Sequence, residues 1–169
     1  MRQIRAIIGL PGTVLLIVPA LAVILTDSFN PGWGLFGLLR SLLLIVAALV
    51  LLVGLGVLAH AIYLFIAIGK GTLAPWDPTR RLVVAGLYRR TRNPMYLGVL
   101  LVLLGEVGLA GSIWLAGWCL FVLIAFNLFV RFYEEPHLRK VYGDEYREFC
   151  ANVPRWLPRR TPWEPPSGL

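Results

Sequence analysis

The chain has 169 residues, 58% of them hydrophobic and 15% charged, with a formal net charge of +7. A mean hydropathy of +0.74 excludes an ordinary soluble domain and marks an all-α integral membrane protein, read here as a single domain over residues 1–169 with about four transmembrane helices. The excess of Lys and Arg reads first as topology and attraction to anionic lipid, and it gives nucleic-acid binding little support.

A bilayer core of about 30 Å takes ~20 apolar residues per helix, and the spacing predicts spans at roughly 6–25, 35–67, 94–111 and 113–132. Arg2 and Arg5 before the first span, with "ALA" at 20–22, resemble a signal peptide; the expectation is instead an uncleaved first helix. The second span exceeds what a crossing needs and is expected to tilt or project beyond the bilayer. It carries His60, alone in apolar sequence and expected to make an interhelical hydrogen bond. With Met1 cytoplasmic, the loop 69–93, the tail 133–169 and both termini share one side, and every Lys and Arg except Arg40 lies on or beside it.

The loop 69–93 is rich in Gly and Pro, with "RRLVVAGLY" as its one short apolar run, and reads as an ordered loop holding a turn of helix on the membrane face. Arg89, Arg90 and Arg92 run into Asn93-Pro94, a strong helix start in which the Asn side chain caps free N–H groups and proline takes the first helical position. Free amides, the helix dipole and the arginines make that end attractive to a carboxylate or phosphate. The alternative use of the arginines is anchoring at the headgroups.

Glu106 follows Pro94 by 12 residues, or ~18 Å at 1.5 Å per residue. That depth makes it either a functional acid or a group reaching the outer interface or a neighbouring helix. Cys119 in the fourth span and Cys150 in the tail form no CxxC, and with few histidines they indicate neither a disulfide nor a metal site.

The fourth span ends in Asn127, Arg131 and Glu134/Glu135, which share one helix face. Arg131 is expected to pair with Glu135 and to leave Glu134 for a cationic or hydroxyl-bearing ligand. Pro136 predicts a kink or a fresh helix start, Gly143 a helix end, and Asp144 an N-cap for "EYREFCANV". The final "RTPWEPPSGL" is expected to be extended and weakly ordered. Tyr88, Tyr96, Tyr133, Tyr142, Tyr146 and Trp156 cluster in the cytoplasmic segments, where they suit the interfacial belt, a cationic ligand or an adenine ring.

Taken together, "GLYRRTRNPMYLG" (86–98), "EEPHL" (134–138), "VYGDEYREF" (141–149) and "VPRWLPR" (153–159) resemble the isoprenylcysteine carboxyl methyltransferase family, to which the phospholipid N-methyltransferases are related. The resemblance spans roughly residues 70–158. It implies a membrane-embedded methyltransferase that takes S-adenosylmethionine from the cytoplasm and a lipophilic acceptor from the bilayer. On that pattern Tyr88, Arg92, Asn93, Pro94, Tyr96, Leu97 and Gly98 form one wall of the cofactor pocket. Glu134 and Glu135 help hold the cofactor, and the segment around Tyr146 and Val153, Pro154 and Arg155 closes the pocket. Many family members have His where this chain has Asn93, which excludes acid–base chemistry at that position. The catalytic candidates are Glu134 and Glu135 as bases for an amine acceptor, and Arg131 and Arg155 as partners for a carboxylate acceptor. The competing reading of another class is a non-catalytic membrane protein whose basic face recruits anionic lipid or a partner.

Overall fold

A computed structural model describes residues 12–69 and 82–165. Residues 1–11, with Arg2, Arg5 and the start of the first predicted helix, residues 70–81 of the loop 69–93, and the last four residues lie outside them. The described residues are all helix, turn and loop, with no strand among them. Helix α1 (Val18–Thr26) follows a π-helical turn, Thr13–Ile17, and α2 is Gly37–Gly69. A 3-10 turn at Gly86–Arg89 precedes α3 (Pro94–Ala110) and α4 (Ile113–Phe129). A second π turn, Val130–Glu134, then leads into α5 (Glu135–Asn152). Among the described residues, two helices are long and apolar enough to cross a membrane: Gly37–Ile68 and the continuous run Ile113–Asn152. Two shorter apolar helices, Thr13–Thr26 and Pro94–Ala110, accompany them.

The predicted boundaries of the second and third spans agree with α2 and α3 to within two residues. The fourth begins at Ile113 as expected, and at Pro136, where a kink or a fresh helix start is expected, a π turn leads into α5 with the proline in its first turn and the helix run continues through it. Glu135 N–H bonds instead to Val130 O, five residues back. The widened turn makes room for the proline ring, which sits at the start of α5 where its missing N–H costs nothing. The same device precedes Pro19 in α1. Beyond Phe132 the run becomes polar, with Glu134, Glu135, Arg139, Lys140 and Asp144 in succession, so the spanning part ends there. Gly143 is where α5 bends, at φ +56, a conformation that suits a residue without Cβ.

The chain divides into two compact units. One comprises Met1–Gly56 with Gly98–Ala125, the other Val57–Leu97 with Phe126–Leu169. In the first, α2 and α3 touch backbone to backbone. A Cβ on Gly54 would lie 2.6 Å from Val102 N, and one on Gly105 2.7 Å from Leu51 N. The loop after α1 is tied to the end of α3 by Asn30 N–H donating to Ala110 O (2.9 Å), and Ser28 and Ser112 hydroxyls meet at 2.6 Å.

The second unit has two small cores. Ala61, Leu64, Val83 and Tyr88 form one, with Phe65 and Met95 against it. His60 Nε2 lies 3.0 Å from where a Gly86 Cβ would be, so its ring packs on the 3-10 turn. Tyr146, Phe149, Val153 and Trp163 form the other. Trp163 corrects the expectation of a weakly ordered end: its indole is buried and its backbone N–H donates to Arg89 O at 2.8 Å.

Candidate functional site

The polar cluster of the second unit is built from three segments that the sequence separates: 88–97, 134–139 and 146–163. The loop entering α3 and the tail are zipped together. Arg92 N–H donates to Pro154 O (2.9 Å) and Arg159 N–H to Arg90 O (2.9 Å). The Thr91 hydroxyl, only 2% exposed, lies 3.1 Å from the carbonyls of both Arg155 and Trp156. Asn93 Nδ2 donates to Arg155 O at 3.0 Å. This corrects the capping expectation, since the side chain reaches outward to the tail, while its carbonyl accepts from Leu97 N–H. Pro94 is fully buried at the first position of α3. Tyr96, Leu97 and Gly98 follow in its first turns.

Glu135 lies at the centre and is 3% exposed. Arg155 grips it in a fork, Nε to Oε1 at 2.7 Å and Nη2 to Oε2 at 2.9 Å. Arg92 Nη1 stands 3.1 Å from Oε1, and Arg139 Nη2 3.7 Å from Oε2. Burial pushes the carboxyl up, but the Arg155 hydrogen bond and the charges of Arg92, Arg155 and Arg139 outweigh it and hold Glu135 below the usual carboxylate range. The expected Arg131–Glu135 pair is therefore not formed. Arg131 is exposed, its guanidinium 5.7 Å above the Phe132 ring. Arg139, Arg155 and Arg92 approach Glu135 from α5 itself, the tail and the loop, and they complete its shell.

Glu134 has a different environment. Its Oε2 accepts from the Tyr96 hydroxyl at 2.8 Å, and the Tyr96 ring packs on Phe126 at 4.6 Å. Burial raises its pKa, the Tyr96 bond lowers it, and the Glu135 charge raises it again, with a net upward shift. Buried Tyr88, next in charge contact with Glu134, is held neutral by burial and by that carboxylate. Adjacent carboxylates thus have opposite tendencies: Glu135 is fixed as an anion, while Glu134 is disposed to take up a proton.

Among the described residues, two polar atoms here are buried without a hydrogen-bond partner, Arg92 Nε and His137 Nε2. Arg92 also donates from Nη1 to Cys150 Sγ at 2.7 Å. Tyr146 and Val153 serve the core beneath the cluster, and Pro154 contributes its carbonyl to Arg92. Sequence reasoning missed Thr91 and Cys150. A threonine between arginines carries no motif, and Cys150 is brought to Arg92 only by the tail's return.

Comparison with known proteins bears on this cluster. The model of a family described as phospholipid methyltransferase matches residues 42–145, a stretch that includes Arg92, Glu134 and Glu135 and stops short of Arg155. A Haemophilus influenzae protein described as an uncharacterized protein is 41% identical over 64 residues, the whole of that protein and 37% of this chain. No solved structure matches the chain.

Proposed function

This chain belongs to the phospholipid methyltransferase family, and from that premise we propose that it is a membrane enzyme that uses S-adenosylmethionine to methylate a lipophilic acceptor. The observation that carries the cofactor assignment is Arg92 Nε, a buried cationic donor with no partner among the described residues, in a cluster where the Arg92 Nη1 and Arg155 donors are engaged. A buried, unpaired N–H of this kind is costly, and an anionic group satisfies it. The cofactor's carboxylate is such a group. Its ammonium and ribose hydroxyls need acceptors, and Glu134, whose Oε2 accepts from Tyr96, carries a second carboxylate oxygen for them. Tyr88 and Tyr96 offer aromatic surface for the adenine.

Within this reading the two glutamates divide the work. Glu135 positions Arg92 and Arg155 and is too fully engaged to bind a ligand, whereas Glu134 makes the contact. Asn93, Pro94, Leu97 and Gly98 shape the wall at the start of α3, and Tyr146, Val153 and Pro154 back the closing segment.

S-adenosylmethionine, when bound, supplies a methyl group on a cationic sulfur. The chain's contribution is to align the acceptor and exclude water around it. A carboxylate acceptor of the isoprenylcysteine type is already nucleophilic, and exposed Arg131, at the end of the spanning stretch, suits its charge. A phospholipid amine must first lose a proton; Glu134, with its raised pKa, is placed to accept it. A small hydrophobic thiol or acid is served by the same groups.

Purified protein in lipid nanodiscs should bind S-adenosylmethionine saturably in calorimetry. Incubation with methyl-labelled cofactor and membrane extract should yield a labelled lipophilic product whose mass identifies the acceptor class. Absence of saturable binding would overturn the cofactor assignment and leave the non-catalytic, lipid-recruiting alternative.

A further inference from the structure

The tail does more than close over Arg92. Between Arg155 and Arg160 it makes a tight loop whose tip, Trp156-Leu157-Pro158, turns toward the membrane helix. Trp156 Nε1 donates to Asn127 Oδ1 at 3.4 Å. Asn127 precedes Glu134 by seven residues, about 10 Å farther into the bilayer along the helix. Around that level the helix still presents Leu128, Phe132 and Tyr133 outward, Phe132 at 69% exposure. Leu157, at 83%, is the most exposed large apolar side chain among the described residues of the tail.

Its exposure is not slack in the chain. The loop is pinned on one side by Thr91 and Asn93 bonding the Arg155 and Trp156 carbonyls. On the other side Arg90 Nη1 donates to Arg160 O, and Arg159 Nη1 to Asn152 O at 2.7 Å. A leucine fixed outward beside an amphipathic tryptophan, and followed by arginine, has the composition of an interfacial anchor. The Arg160 side chain is exposed just beyond it.

We infer that the Arg155–Arg160 loop is a membrane-interfacial anchor, with Trp156 and Leu157 among the acyl chains at the headgroup boundary and Arg160 on anionic lipid phosphate. Because Arg155 adjoins the tip and also grips Glu135, contact with the bilayer holds the closing segment over the proposed cofactor site. The anchor itself rests on the membrane setting, and only its effect on the closing segment rests on the proposed function.

The full chain, reconstituted in phosphatidylcholine vesicles containing acyl-chain diazirine lipid, should after photolysis carry adducts at Trp156–Leu157 as well as at Phe132, with none on the exposed Arg147–Glu148 segment. Adding phosphatidylglycerol should raise the loop's yield severalfold, and Arg160→Gln should abolish that increase. Adducts at Phe132 without any at Trp156–Leu157 would overturn the anchor, and a yield indifferent to phosphatidylglycerol would overturn its anionic headgroup contact. Cofactor binding measured in the same vesicles reports separately on the proposed function, so failure of either reading is recognised on its own.

Discussion

At the scale of single residues, the neighbouring glutamates make the sharpest test. Glu134 has a folded-state pKa raised above its unfolded value, so its contribution to stability is full below the unfolded pKa and is lost as pH rises through the folded one. Glu134→Gln should therefore raise the melting temperature of the ligand-free protein at neutral pH. The same change should weaken S-adenosylmethionine binding roughly tenfold or more, the scale of one hydrogen bond to a charged group at about 1.5–3 kcal/mol. A variant that melts lower, or that binds normally, refutes the assignment. Glu135 has the opposite sign. Its pKa is lowered, so its contribution is present above the unfolded carboxylate value and is lost as pH falls through the folded one. Glu135→Ala should cost about 3–5 kcal/mol by stranding buried arginine charge, and Glu135→Gln should flatten the acid limb of stability against pH, both read by thermal unfolding in detergent. The "EE" pair was legible in the sequence as the polar end of the fourth helix, and the structure places it in a polar cluster. Which glutamate the arginines engage was not, because two of the three partners of Glu135 lie 43 residues before it, at Arg92, and 20 after it, at Arg155.

At the scale of elements, the helices were legible because long apolar runs with a proline start leave few alternatives. The tail was not, because its order comes from one side chain seated in a core made elsewhere. Trp163 packs on Phe149, ring centroids 6.1 Å apart, and its backbone is held by Arg89. Trp163→Ala should cost about 3 kcal/mol, at the lower end for deleting a buried tryptophan, and should open the Val153–Glu164 segment to protease. Proteolysis unchanged from the wild type would show that the zipper of Arg89, Arg90, Thr91 and Asn93 suffices without the core anchor. The π turns before Pro19 and Pro136 were likewise invisible: a proline announces a disturbed helix, but only the fold decides between a break and a widened turn.

At the scale of the whole molecule, charge and hydropathy together make a statement about orientation that no single contact carries. The chain holds 16 Lys and Arg residues, and all but Arg40 fall at the N-terminus, in 69–93 or from Arg131 onward. On the proposed topology of four crossings these lie on one face, which the asymmetry across short loops would assign to the cytoplasm. The opposite orientation would require moving the basic loop and tail across the bilayer, where each arginine costs about 2.5–3.5 kcal/mol at the centre even on insertion scales. A cysteine at Lys140 should then react with an impermeant maleimide only in inside-out vesicles, and one at exposed Phe29 only in right-side-out vesicles, with peptide mapping to separate both from Cys119 and Cys150. Labelling of both from the same face would remove a crossing between them. The argument that a cytoplasmic cofactor meets a bilayer-borne acceptor at Glu134 would fall with it.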